Sequence, residues 1–266
     1  MNTPDDRLFE GTAWYYARYR PGYPTALIDW VVSESRLDGT GHLLDLGCGT
    51  GQLALPFAPH VAFAFGVDPD AAMITEADAA ARSVSVQNVR WLAGRAETIE
   101  TLADQIAPLR ITVMGRAFHW MPPDETLAAL DRLTEPGGSV LLSGDGCGIW
   151  TGELDWQVVV RSTLRDWLGT ERRAGDTVYR VAHDPWEEIL ARSAFRDFQY
   201  RPFPARHTWT IDTILGFLYS TSFASPRLFG SNRAAFEADL RQRLLTLDAS
   251  GQFAEDVVVD GFLARK

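Results

Sequence analysis

From Leu43 to about Gly144, short apolar runs alternate with longer amphipathic stretches, the rhythm of β-α units that close into a parallel sheet. The apolar runs predict strands over 42–46, 62–67, 89–92, 111–115 and 140–143. The run Ala62-Phe63-Ala64-Phe65-Gly66-Val67 is apolar throughout, as a strand covered on both faces would be, whereas 89–92 is short and carries Arg90. Between them, 69–82 is rich in alanine with Asp70 near its start, which suits a helix N-terminus. Leu127, Leu130 and Leu133 recur at helical spacing over 124–133, and Pro136-Gly137-Gly138 then stops the helix and turns the chain. Pro56 falls where a helix should follow the first strand, so that helix is short or kinked.

After Gly144 the rhythm changes. Leu154, Val158, Leu164 and Leu168 with Trp156 and Trp167 predict an amphipathic helix over 153–168, and 185–194 and 231–247 are further helices. The stretches 198–203 and 257–263 read as strands that pair as an edge, with a long helical excursion between them. We expect an α/β fold: a Rossmann-like, seven-stranded, mostly parallel sheet with helices on both faces and a helical substrate cap. The expected organisation is a single domain over 1–266, with a cofactor-binding core at 40–145 and cap insertions at 146–195 and 207–253.

Composition narrows the function classes. The chain has 266 residues, 46% hydrophobic and 23% charged, with a formal net charge of -10. It lacks the clustered Lys and Arg of a nucleic-acid footprint, and it has no apolar run long enough to cross a membrane. The start, Met1-Asn2-Thr3-Pro4-Asp5-Asp6, is not a secretory signal. A cytoplasmic protein with neither a nucleic-acid nor a membrane partner is expected, monomeric or homodimeric. Two cysteines, Cys48 and Cys147, lie far apart and the five histidines are scattered singly, so no metal site is expected.

The chemistry concentrates behind the first strand. Gly47-Cys48-Gly49-Thr50-Gly51 removes the Cβ atoms that would hold a ligand away from the backbone, at the carboxyl end of a strand, where open α/β sheets bind ligands. Asp68 ends the next strand, seventeen residues after Gly51, where a carboxylate can accept both hydroxyls of a ribose. The spacing is G-x-G-x-G, with Gln52 where a dinucleotide fingerprint has its third glycine, and there is no G-K-[ST] ending. A ribose-bearing ligand without phosphate fits this pattern, and S-adenosylmethionine is such a ligand.

The chain resembles the class I S-adenosylmethionine-dependent methyltransferases of the small-molecule group that includes ubiquinone-pathway and trans-aconitate methyltransferases. The resemblance rests on Leu44-Asp45-Leu46-Gly47-Cys48-Gly49-Thr50-Gly51, Gly66-Val67-Asp68, Gly94-Arg95-Ala96-Glu97, Ala117-Phe118-His119-Trp120 and Leu133-Thr134-Glu135-Pro136-Gly137-Gly138, in family order over about 40–145. It implies a cofactor site made of Asp45, Gly47, Cys48, Gly49, Gly51, Asp68, Pro69, Arg95, Ala96, Glu97 and Ala117. In it, Asp68 holds the ribose, Asp45 supports the loop or the cofactor's ammonium, and 95–97 lie at the adenine. Many relatives carry Asp in place of Arg95. The aromatic and basic stretch Trp14 to Pro24 resembles the family's N-terminal lid. Tyr19 and Arg20 are placed at the cofactor, and Tyr15 and Tyr23 at the substrate, with ordinary helix packing as the competing reading for each tyrosine.

Methyl transfer from a sulfonium needs alignment above all. An acceptor hydroxyl or ammonium also needs a base, and His119, just past a strand's carboxyl end, is the candidate; packing beneath the adenosine is its competing role. His119 and Trp120 are also placed at the substrate. Arg18, Arg20, Arg116, Arg206 and Arg227 are candidate anchors for an anionic acceptor. The expected function is methyl transfer to an organic acid or specialised metabolite. The alternatives are a nicotinamide-dependent oxidoreductase and a non-catalytic S-adenosylmethionine-binding module.

Overall fold

Leu43 and Leu44 are adjacent and both fully buried, yet they enter different cores, because successive side chains of a strand point to opposite faces of the sheet. The structure, a computed structural model, describes residues 8–145, 148–174, 177–178 and 184–266. Cys147 and parts of the expected first insertion lie outside the described residues. Seven strands form the main sheet: β1 (His42–Leu46), β2 (Phe63–Asp68), β3 (Val89–Ala93), β4 (Leu109–Gly115), β5 (Thr134–Asp145), β6 (Asp197–Thr210) and β7 (Gln252–Arg265). Their order is β3-β2-β1-β4-β5-β7-β6. The first five pair in parallel and β7 runs antiparallel to β5. The order reverses between β1 and β4, the position where open α/β sheets bind ligands.

The chain divides into two units. The sheet unit comprises Gly22–Asp145, Val181–Phe203 and Val259–Lys266. On one face, Leu43, Ala64, Ile111, Val113 and Leu141 pack with Leu27, Ile28 and Val31 of the helix Thr25–Glu34 and with Phe57. On the other, Leu44, Leu46, Phe65, Val67, Met114, Val140 and Leu142 pack with Leu127, Leu130 and Leu133 of the helix Pro123–Leu133 and with Ile189 and Leu190. The helix Trp186–Ala191, expected within a cap insertion, therefore belongs to the sheet unit.

The helix-rich unit comprises Met1–Pro21, Gly146–Arg180 and Pro204–Val258. Its core joins Trp156, Val160 and Leu164 of Asp155–Leu168, Ile214, Leu215 and Leu218 of Ile211–Tyr219, and Phe236, Leu240 and Leu244 of Arg233–Leu247. Here the N-terminal helix Ala13–Tyr19 lays the Tyr19 ring on Gly216. No helix among the described residues is long and apolar enough to cross a membrane.

The helix ends at Leu133 and β5 begins at Thr134, directly after it, so Pro136-Gly137-Gly138 turns the chain inside the first part of the strand. Leu109 pairs with Thr134 but Ile111 already pairs with Ser139, so the glycines, with Gly137 at φ 79, let residues 135–138 bulge out of the ladder. β6 and β7 are also longer than expected, at 14 residues each. Pro56 acts as expected: the helix after the loop is only Ala54–Phe57.

A Cβ on residue 216 would overlap the Tyr19 ring. Gly216→Ala should lower the melting temperature, at a cost of about 1–3 kcal/mol for overpacking, and adding Tyr19→Ala should cancel most of the clash. An unchanged melting temperature in the single variant would show that the N-terminal helix is not seated there.

Candidate functional site

Two buried carboxylates lie behind the glycine loop. Asp45, fourth residue of β1, is 2% exposed, and its Oδ2 accepts the Ala54 N–H at 2.9 Å, which ties the strand to the helix beyond the loop. Asp68, last residue of β2, is 8% exposed. Its Oδ2 accepts the Gly49 N–H and its Oδ1 the Asp70 N–H, both at 2.9 Å. The loop is further held by the Gly47 N–H, which donates to the Val67 carbonyl at 2.8 Å. Asp70 then caps the helix Ala71–Ser83 by accepting the Ala72 N–H at 2.8 Å.

Among the described residues, neither Asp45 nor Asp68 has an Arg, Lys or His partner. Burial pushes the Asp45 carboxyl up to about 7, against the pull of the Ala54 N–H, and the charge of Asp68 adds to the rise. Burial likewise raises Asp68 to about 6, against its two backbone N–H bonds. The Cys48 thiol is pushed well up by burial and by both carboxylates, so it is a packed side chain and not a reactive thiolate.

The loop also touches the end of β4. Gly47 has φ 72, and a Cβ there would lie 2.6 Å from Ala117 Cβ. Ala117 opens the short turn Phe118–Trp120, which carries His119 and Trp120 with rings 4.8 Å apart. Tyr23 belongs to the same unit, and its hydroxyl occupies the space that a side chain on Gly115 would need. The Arg116 guanidinium stacks 4.6 Å from the Tyr23 ring, and its Nη2 donates to Asp145 Oδ2 at 3.1 Å. Arg116 sits at φ 53, an uncommon backbone state for a side-chain-bearing residue. As a candidate anion anchor it is already ion-paired, with its side chain 7% exposed.

After β3, the Gly94 N–H donates to the Asp68 carbonyl at 3.2 Å. Arg95 precedes the 3₁₀ turn Ala96–Leu102, Ala96 is buried, and Glu97 is exposed, as is Pro69. The structure thus ties Asp45, the loop, Asp68, Ala117 and Gly94 together through hydrogen bonds and close packing, with Tyr23 at the neighbouring strand end. Tyr15, Tyr19 and Arg20 lie in the helix-rich unit. There the Tyr15 hydroxyl accepts from Arg233 Nη2 at 2.8 Å, and the Arg20 guanidinium lies 5.0 Å from the Phe217 ring. Arg18 donates to the Trp14 carbonyl, Arg206 pairs with Asp256, and Arg227 lies 4.0 Å from Glu10. No group of three or more potential metal ligands occurs among the described residues.

Residues 43–138 match a protein family described as a methyltransferase domain. Over 222 residues the chain is 24% identical to a methyltransferase-like protein of Schizosaccharomyces pombe, covering 82% of this chain and 79% of that one. A probable S-adenosylmethionine-dependent methyltransferase of Saccharomyces cerevisiae is 25% identical over 138 residues, covering 51% of this chain and 44% of the other. The chain therefore spans most of the first relative and less than half of the second. Among solved structures, YcgJ of Bacillus subtilis superposes with a TM-score of 0.55 at 17% identity, covering 91% of this chain and 99% of that one. A likeness at that identity establishes the fold.

A carboxylate whose pKa is higher in the folded than in the unfolded chain loses stabilising protonation as pH rises through the folded value. Asp45, raised from 3.8 to about 7, should therefore weaken the protein progressively from acid to neutral pH. Asp45→Asn keeps an acceptor for the Ala54 N–H and removes the titration. Its melting temperature should exceed that of the parent at about pH 8, with the gap closing toward about pH 5. A constant gap across that range would reject the assignment.

Proposed function

We propose, for a chain that belongs to the class I S-adenosylmethionine-dependent methyltransferases, that it moves the methyl group of that cofactor onto a small-molecule acceptor by in-line displacement. The observation that carries this reading is the pair of buried carboxylates, Asp45 and Asp68, with backbone N–H partners and no basic side chain among the described residues. Uncompensated buried carboxylates are costly, and a net positive ligand with ribose hydroxyls answers both needs. S-adenosylmethionine has a sulfonium and an ammonium against one carboxylate, and it supplies a methyl group already attached to a good leaving group.

The residues divide the remaining work. Asp68 accepts the ribose hydroxyls on lone pairs not used by Gly49 and Asp70, since a carboxylate offers about four acceptor sites. Asp45 holds the far end of the loop through Ala54 and adds negative potential beneath it. The backbone of Gly47–Gly51 lies along the methionine part, and the turn Arg95-Ala96-Glu97 receives the adenine. His119 accepts the proton of a hydroxyl or ammonium acceptor, and Tyr23 and Trp120 shape the acceptor's site beside it. The net charge of -10 disfavours a nucleic-acid acceptor.

Calorimetric titration should show S-adenosylmethionine binding that weakens as pH falls through about 6, where Asp68 protonates. Asp68→Ala should cost about 1–3 kcal/mol of that binding by leaving ribose hydroxyls unpaired. Absence of binding by the folded protein would sink the reading. Transfer of tritiated methyl from the cofactor into a cell extract should label small molecules and leave macromolecules unlabelled, while His119→Gln should lose the transfer and keep the cofactor affinity. Label in protein or RNA would overturn the acceptor class.

A further inference from the structure

We infer that Trp91 is a positioning residue for the cofactor loop: its indole is the support on which Gly51 rests and which forces residue 66 to be glycine. Trp91 lies on β3 directly beside Gly66 of β2 in the parallel register. Gly66 is on the same face of its strand as Asp68, so the indole is on the side of the sheet that carries the ribose-facing carboxylate. A Cβ on residue 66 would overlap ring carbons Cε3 and Cζ3 and would come 3.0 Å from Cys48 Sγ. A Cβ on residue 51 would lie 2.6 Å from Cη2 and 3.4 Å from Cζ2 and Cζ3. One six-membered ring therefore bridges the strand and the last glycine of the loop.

Gly51 closes the loop and Gly66 stands in the strand beside it, and both are required here by a side chain of the same molecule. The Trp91 N–H is buried with no acceptor among the described residues, although a buried indole N–H usually finds one. What the site uses is thus the size and flatness of the ring. The ring, the Cys48 sulfur and the Gly49–Asp68 hydrogen bond fix the loop from one side, so the positions of its backbone N–H groups depend on a residue forty positions beyond Gly51.

The inference rests on the proposed cofactor, and the test separates the two. Trp91→Leu should weaken S-adenosylmethionine binding at least about tenfold, a loss of about 1.4 kcal/mol. Trp91→Phe, which keeps a ring over Gly66, should recover most of the loss. Leu130→Ala, a comparable cavity on the opposite face of the sheet, should lower the melting temperature and leave the affinity unchanged. Gly66→Ala should be damaging in the parent and nearly neutral beside Trp91→Leu, a coupling expected of residues in direct contact. In a Cys147→Ser background, Trp91→Leu should speed the reaction of Cys48 with a disulfide thiol reagent. If the parent fails to bind the cofactor while the Gly66–Trp91 coupling and the Cys48 response persist, the cofactor reading falls and the loop support stands. Unchanged affinity in Trp91→Leu, or equal damage from Gly66→Ala in both backgrounds, overturns the inference.

Discussion

The hydrogen bond from the Gly49 N–H to Asp68 Oδ2, 2.9 Å long, is the constraint on which the site depends. It joins the middle of the glycine loop to the end of β2, while the other oxygen of the same carboxylate holds the Asp70 N–H, where the next helix is about to start. Asp45 makes the matching attachment from β1 to Ala54. Charge-assisted bonds of this kind are roughly twice as strong as neutral ones. They suffice to hold a loop in which Gly47, Gly49 and Gly51 all have positive φ, a backbone that would otherwise sample many conformations.

The same arrangement has a cost, visible in the upward shift of both carboxylates. Amide replacements of similar volume would relieve that cost and keep the backbone bonds, and a basic partner from the chain would relieve it too. Among the described residues the protein uses neither, and the carboxylates stand at the carboxyl ends of β1 and β2. At the ends of β4 and β5 the opposite solution holds, because Arg116 and Asp145 neutralise each other. The two sides of the switch point thus differ in electrostatic character: one keeps two carboxylates on backbone N–H partners, the other is balanced and braced by the stack of Arg116 on Tyr23.

Much of this was legible in the sequence because it depends on short-range pattern. The span of β1, His42–Leu46, follows from an apolar run that ends at a glycine, and Asp68 stands at the end of β2 because a carboxylate closes the next such run. The shortened helix at Pro56 follows from local sterics alone. The helices Thr25–Glu34 and Ile211–Tyr219 escaped notice. The first follows directly on an aromatic and proline-rich stretch that reads as a lid, and the second is only nine residues long with Gly216, a poor helix former, inside it. The Arg116–Asp145 pair and the Trp91–Gly66 neighbourhood were not legible at all. Each depends on strand register, which side-chain alternation along a single strand does not specify.

A glycine motif therefore has two possible authors, and this loop has both. Ala117 crowds Gly47, and Trp91 crowds Gly51 and Gly66, so packing alone demands small residues at those places. Asp45 and Asp68 serve the turn itself by accepting from Ala54, Gly49 and Asp70, but an amide side chain would accept the same bonds without the cost of a buried charge. In the proposed function it is the charge on Asp45 and Asp68 that separates a ligand cradle from a tight turn, and the glycines gain their meaning from it. On the proposed reading, a substitution that keeps every glycine but neutralises both carboxylates would preserve the packing of the loop and remove the charge that a cationic cofactor needs.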